Sequence, residues 1–335
     1  MQSKIMKKKE IIGVDVSKGT LDLHFNYAAS HLQISNDKSG YKKFDKYLVQ
    51  LGIDPSEILL VMEHTGMYSY WFEKHLKEQG VSFSKVSALE IVRSAGIIRG
   101  KSDKSDACMI AQYGAKNTDK ISLTMSSEHH YQLKALLGLR EKLVTQKAGF
   151  TTSLNEQKQF VNVLKSSALF RSQQLMIRTL EREILKVETE IKQLLESDES
   201  TKQNLELLTS VVGIGFVIAA SMIMWTDNFS KFTDARKFAC YSGIAPFEYT
   251  SGTSIKKRTK VSQLANKRAK ALLDLAARSA IIHDPEINQF YTRRIKEGKH
   301  PKCIRNIVRN KLVYRMFAVV KRQEPYVKNH VYNAA

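Results

Sequence analysis

The chain is expected to fold as an α/β domain, then a pair of long helices, then a mainly helical C-terminal part. Three observations predict this. Five short runs rich in branched apolar residues all fall before residue 90. A three-four spacing of apolar residues then runs from 136 to 194 with a single break. From about 203 onward helical patterns return around the most apolar stretch of the chain, SVVGIGFVIAASMIMW (210–225).

In chain order, EIIGVDVS (10–17) reads as a buried strand, because an unbroken branched run of this length suits a sheet covered on both faces. LDLHFNY (21–27) alternates after the turn Lys18-Gly19-Thr20, which predicts a hairpin, and HLQIS (31–35) adds a third strand. A helix over 39–51 precedes a fourth strand, EILLVMEH (57–64). A helix over 68–79, a fifth strand VSFSKVS (81–87) and a helix over 103–116 follow. A three-stranded meander followed by alternating helix and strand is the order of a ribonuclease H-like domain. Leu136, Leu139, Leu143, Gln146, Phe150, Ser153, Gln157, Phe160 and Leu164 keep a heptad spacing. After a break at 166–172, Ile177, Leu180, Ile184, Val187, Ile191 and Leu194 resume it, predicting an antiparallel helical hairpin or an intermolecular coiled coil. Residues 197–200 read as a linker. VVGIGFVIA (211–219) carries Gly213 and Gly215 at the turn of a helix-hairpin-helix, where backbone N–H groups can meet a phosphate; close helix packing explains the same glycines. The boundaries so predicted are 1–125, 126–200 and 201–335.

The 335 residues carry 53 Lys or Arg against 33 Asp or Glu, a net charge of +20. Such an excess predicts a polyanionic partner, nucleic acid ahead of a membrane surface. Residues 251–322 hold 19 Lys or Arg and 4 Asp or Glu, so +15 of the excess lies there. With 43% hydrophobic residues and five prolines, a disordered chain is excluded. Cys108, Cys240 and Cys303 form no paired motif, which predicts a reducing compartment and no structural zinc. No signal peptide is visible, and the run 210–225 is short for a membrane span, so no membrane partner is expected and the cytoplasm is the predicted location.

Four acids stand out. Asp15 and Glu63 each end an apolar strand, and an acid there is costly unless paired or liganded. Asp103 and Asp106, three apart in the first turn of a helix, share a face. In a ribonuclease H-like sheet the first and fourth strands are neighbours and the last helix starts beside their ends, so all four converge. Two carboxylates about 4 Å apart repel by about 4 kcal/mol at an effective dielectric near 20, so the group calls for a cation. Oxygen-only ligands select Mg²⁺ or Mn²⁺. Taken singly, Asp103 as a helix cap and Asp106 as a dipole partner remain open.

The segments GVDVSK (13–18), EHTG (63–66) and KSDKSDA (101–107), with GIG and then FACYSGIAPFEYTSG (238–252), resemble the DEDD transposases of bacterial insertion sequences of the one-hundred-and-ten group. Relatives of that group include the Piv-type DNA invertases. The resemblance spans about 10–115 and 205–290. It implies a RuvC-like N-terminal domain, a helical spacer and a transposase domain with a nucleophilic serine. It also implies a bridge RNA that selects donor and target DNA. The heptads point to a homo-oligomer, dimer or tetramer, and the chain is expected to work on element ends and target DNA at the nucleoid. Carried over singly, the metal acids are Asp15, Glu63, Asp103 and Asp106, and the nucleophile is Ser251. Thr250 and Ser254 offer hydroxyls beside it that spacing alone does not exclude. Lys256, Lys257, Arg258 and Lys260, with Lys267 and Arg268 beyond, are placed to grip phosphate. The same four acids would serve a hydrolytic junction nuclease without a serine. VDVSKGT also resembles a kinase phosphate loop, but the second such loop is missing and +20 is an odd charge for a kinase. A nucleic-acid-binding scaffold would not need the acid set.

Overall fold

The computed structural model describes residues 9–327 apart from 65, 97–99, 101, 122, 124–127, 161–166, 233 and 252–254. It divides into two compact units, residues 1–125 and 126–335.

The first unit is built on a five-stranded sheet of order β3-β2-β1-β4-β5. The strands are β1 (Glu10–Val16), β2 (Thr20–Phe25), β3 (Ser30–Ser35), β4 (Ile58–Glu63) and β5 (Ser82–Val86). β1 pairs antiparallel with β2 and β2 with β3, whereas β1, β4 and β5 run parallel. Pleating sorts the apolar side chains onto two faces. Ile12, Val14, Leu21, Leu23, Phe25, Leu60 and Met62 pack with Tyr41, Phe44 and Leu48 of α1 (Lys38–Leu51) and with Phe72 and Leu76 of α2 (Tyr70–Glu78). Ile11, Leu59, Val61 and Val86 pack on the other face, with Ile91 of α3 (Ala88–Ala95) and Ile110 of α4 (Asp103–Lys116). Each large side chain buried this way is worth about 1.5–3 kcal/mol. The sheet order is the one expected of a ribonuclease H-like domain. The short helix α3 was not expected.

The second unit begins with α5 (Glu128–Lys158) and α6 (Ser167–Glu196). Arg140 Nε donates to Glu188 at 2.6 Å, Lys147 pairs with Glu181 at 3.0 Å, and Gln173 donates to Gln157 at 2.5 Å. As one partner's number rises through 140, 147 and 157, the other falls through 188, 181 and 173. The two helices are therefore an antiparallel hairpin within one chain. Leu180, Ile184, Val187 and Ile191 are buried in it as the spacing predicts, but on α5 the buried positions are Tyr131, Leu133, Leu137 and Leu154, while Leu139 is 45% exposed. Leu164 lies outside the described residues.

Because this seam is internal, Leu180→Asp is expected to lower stability rather than split an oligomer. A buried unpaired charge costs at least several kcal/mol. Circular dichroism should show a large drop in thermal midpoint. A stable variant of reduced native mass would place the seam between chains instead.

The inner ends of α5 and α6 join the core of the remaining helices, so Leu133, Leu137, Val187, Ile191 and Leu195 share one cluster with Leu208, Phe238, Leu273 and Leu312. These helices are α7 (Glu199–Ser210), α8 (Phe216–Thr226), α9 (Ala235–Tyr241), α10 (Lys267–His283), α11 (Pro285–Lys296) and α12 (Pro301–Arg322). The expected linker at 197–200 is shorter than read: Ser197 and Asp198 join the helices, and α7 begins at Glu199, with Asp198 capping it by accepting from the Thr201 N–H at 2.9 Å. α8 is buried along most of its length, and no helix among the described residues is long and apolar enough to cross a membrane. The C-terminal part also holds an unexpected antiparallel hairpin, β6 (Pro246–Ser251) with β7 (Ile255–Val261). IKKRTKV carries no apolar alternation, so period-2 reading is blind to it.

Candidate active site

On the face of the sheet that α4 covers, β1 presents Ile11, Gly13 and Asp15 in turn, and β4 presents Leu59, Val61 and Glu63. The parallel register, Val14 opposite Met62, brings Glu63 beside Asp15 at the next step. Each acid therefore ends a buried row where the sheet meets solvent.

Ser102 caps α4. Its hydroxyl accepts from the Ser105 N–H at 3.2 Å, and the Ser105 hydroxyl accepts from the Ser102 N–H at 2.9 Å. The cap is thus a serine pair, not Asp103, and Asp103 and Asp106 both lie in the first turn. α4 lies directly on β1: a Cβ on Gly13 would strike the Ala107 carbonyl and the Ala111 nitrogen. Gly13→Ala is therefore expected to push α4 away and destabilise the unit by about 2–4 kcal/mol. Denaturant titration should show this, and an unchanged midpoint would mean that the helix does not press on the strand.

Burial, then the negative charges of Asp103, Asp106, Glu63 and Asp22, push the Asp15 carboxyl up to about 6. All three partner acids are close enough to act on it. Among the described residues, no hydrogen bond or ion pair engages the carboxylates of Asp15, Glu63, Asp103 or Asp106. Nor, among those residues, do three acids, histidines or cysteines stand close enough to form a ready-made metal cage. The carboxylates crowd one spot electrostatically, and joint ligation requires them to turn inward. As a donor set, four carboxylates fit a hard divalent cation.

Asp22 was missed by sequence reading. It sits opposite Asp15 in the β1–β2 register and is 3% exposed. Gln33 Nε2 donates to both its oxygens at 3.2 and 3.1 Å, and His31 Nε2 lies 3.1 Å from Oδ1. The alternation L-D-L-H-F does place it on the α4 face, which was the available signal.

In the second unit, Ser251 ends β6 and its backbone pairs with Ile255. Gly252, Thr253 and Ser254 lie outside the described residues, as do the side chains of Ser251, Lys256, Lys257 and Arg258. Lys260 and Lys267 are exposed. Arg268 is engaged within the unit: it donates to the Leu137 carbonyl at 2.9 Å and pairs with Glu141 at 2.6 Å. Gly213, at φ +92, presses on α10, where a Cβ would meet the Ala276 carbonyl at 2.7 Å and the Ala280 Cβ at 2.8 Å; Gly215 is exposed and caps α8. Gly213 thus has a packing role of its own.

The acids of 251–322 are all committed to arginines. Asp274 holds Arg278 and Arg309, Asp284 and Glu286 hold Arg315, and Glu297 holds Arg293 and Arg294. The +15 of this stretch is therefore carried largely by lysines and is not cancelled locally.

Two family profiles match the chain. One, described as Transposase (DEDD type, IS110), covers residues 12–165, and the other, Transposase IS116/IS110/IS902 family, covers residues 205–292. The pilin gene-inverting protein of Moraxella bovis is 26% identical over 330 residues, 96% of this chain and 98% of its own. The protein of the same name from Moraxella lacunata matches to the same extent. An uncharacterized 43.6 kDa protein of insertion element IS110 from Streptomyces coelicolor is 28% identical over 116 residues, 34% of this chain and 28% of its own.

Proposed function

Given that the chain belongs to the IS110 family of DEDD transposases, DNA-cleaving and rejoining enzymes, we propose that it recombines the ends of an insertion sequence through a phosphoserine intermediate at Ser251. The observation that carries this reading is the crowding of Asp103, Asp106 and Glu63 on Asp15 at one end of the sheet. A basic second unit supplies the grip on a polyanion.

Asp15, Glu63, Asp103 and Asp106 would hold Mg²⁺ or Mn²⁺, which would offset charge on the scissile phosphate. The chain's own residues do the rest. The Ser251 Oγ–P bond forms as a P–O bond to the adjoining deoxyribose breaks. The serine proton passes to water or a neighbouring base, and the freed deoxyribose oxygen takes one up. Attack by another DNA hydroxyl reverses the step and releases the serine, so no bond energy is lost to hydrolysis. Lys256, Lys257, Arg258, Lys260 and Lys267 hold the backbone. A bridge RNA selects donor and target, and a homo-oligomer, dimer or tetramer, brings two ends together at the nucleoid. The helical hairpin, residues 126–200, is a spacer between the catalytic unit and the transposase part.

A second reading is favoured by the relatives that cover nearly the whole chain, since both are named for inverting a pilin gene. The chemistry is the same; the two ends would then flank an invertible segment.

The test is a denaturing gel after incubation with labelled end DNA, RNA and Mg²⁺. A protein-linked label that survives denaturation is expected, whereas cut DNA with no adduct at any time would leave a hydrolytic nuclease. Binding should also fall steeply with salt, with a log–log slope of about −0.9 per phosphate contacted on duplex DNA. Charge reversal at Lys256, Lys257 and Arg258 should weaken binding of all sequences alike and flatten that slope. Filter binding between low and physiological salt checks this, and an affinity indifferent to salt rejects the lysine-rich face as the DNA grip.

A further inference from the structure

Beside the β6–β7 hairpin lies an open cavity of about 690 Å³, lined by Cys240, Phe247, Glu248, Tyr249, Lys260, Ser262 and Leu264. Its volume falls within the range of about 300–1,000 Å³ typical of small-ligand sites. Phe247 is 49% exposed, Tyr249 58% and Leu264 55%. Large apolar side chains clustered at the surface mark a contact to be made. The register slips between Phe247, which faces Lys260, and Tyr249, which faces Lys257, so β7 carries one extra residue there. Such a bulge bends the strand and re-aims its side chains.

We propose that this cavity takes one unpaired DNA base, extruded within a nucleotide or two of the cleavage point and stacked on Phe247 and Tyr249. Flat aromatic faces stack bases of any identity, and the basic strand beside them draws the phosphate backbone. The charge identifies the occupant: Lys260 lines the cavity and Lys256, Lys257 and Arg258 precede it on the same strand, which suits a nucleotide and repels another copy of this basic chain. Glu248, which also lines the cavity, offers a carboxylate that accepts from an exocyclic amino group and so favours cytosine, adenine or guanine over thymine. Ser251 ends the same strand two residues after Tyr249, about 7 Å further at the usual rise. The position on the DNA, though not the stacking, rests on the reading of Ser251 as nucleophile.

The experiment places 5-iododeoxycytidine singly at positions within two nucleotides of the cleavage point. Full-length protein is assembled with that DNA, RNA and Ca²⁺, irradiated, and the crosslinked residue is mapped by mass spectrometry. Crosslinks to Phe247 or Tyr249 are expected in the wild type and in Ser251→Ala alike. They should fall at least tenfold in Phe247→Ala/Tyr249→Ala and persist in Phe247→Trp/Tyr249→Trp. A parallel arm carries 5-iodocytidine in the RNA. Crosslinks elsewhere only, crosslinks from the RNA arm alone, or a lower native mass in the alanine variant each overturn the proposal, the last by making this face a protein contact. Because Ser251→Ala keeps the crosslink if the cavity is right, failure of the nucleophile and failure of the base site give different results.

Discussion

Asp15→Ala and Asp106→Ala are each expected to abolish DNA cleavage while the protein stays folded. A bound divalent cation is worth several kcal/mol of transition-state charge stabilisation, so the loss should be about a thousandfold or more. Removing either acid takes away a proposed ligand and, in the metal-free protein, a like charge. The Asp15 carboxyl is pushed up to about 6 by burial and by its four acidic neighbours. Asp15→Asn should therefore raise the metal-free thermal midpoint at pH 7.5 while cleavage disappears. The sign follows from proton binding. Between the unfolded value near 4 and the folded value of about 6, the folded state binds the proton more tightly. This group accordingly adds stability to the metal-free protein as pH falls through that window, and the variant should lose that part of the dependence. Calorimetry with chelator from pH 4.5 to 7.5 reads it. Wild-type cleavage by either alanine variant in Mg²⁺, or a metal-free midpoint lowered by Asp15→Asn, would show that the acids do not crowd a cation site.

Ser251→Ala should eliminate the covalent protein–DNA species and all recombination, with RNA and metal binding near wild type. A metal-assisted hydrolase needs no side-chain nucleophile, so the complete loss separates the two chemistries. Thr250→Ala and Ser254→Ala are the controls, because each removes a neighbouring hydroxyl and should keep the adduct at a reduced rate. An adduct that survives Ser251→Ala but not Ser254→Ala would move the nucleophile by three residues. Uncoupled hydrolysis persisting in Ser251→Ala at the wild-type rate would give the metal site its own nucleolytic role.

The first unit was legible because its signals are local. Each strand announces itself by branched apolar residues, and the pleat converts position parity into a face. Ile11, Gly13 and Asp15 follow as one row from spacing alone, and so do Leu59, Val61 and Glu63. Gly13 needed the structure: in the sequence it is one small residue in a strand, and only the path of α4 shows that no Cβ fits there. Asp22 was hidden for a related reason. Its neighbour Asp15 is seven residues away and becomes a partner only through the antiparallel register.

The second unit resisted for the opposite reason, since its decisive pairings join distant residues. Arg268 looked like a phosphate ligand beside Lys267, yet it reaches Leu137 and Glu141 more than a hundred residues earlier. The hairpin β6–β7 has too little apolar alternation to be seen, although FEYTS contains the two aromatics that line the cavity.

From the sequence alone came the net charge of +20 and its concentration in 251–322, the α/β character of the first hundred residues, the long helical pair, and the four acids with their spacing. These are properties of composition and of short periods, which a chain carries before it folds. Tertiary structure alone decided that the heptad seam closes within one chain, that every acid of 251–322 is held by an arginine, and that Asp22 joins the acids around Asp15. Charge and spacing state which groups exist, whereas neutralisation and burial depend on which groups meet. That is set by strand register and helix packing across tens to hundreds of residues.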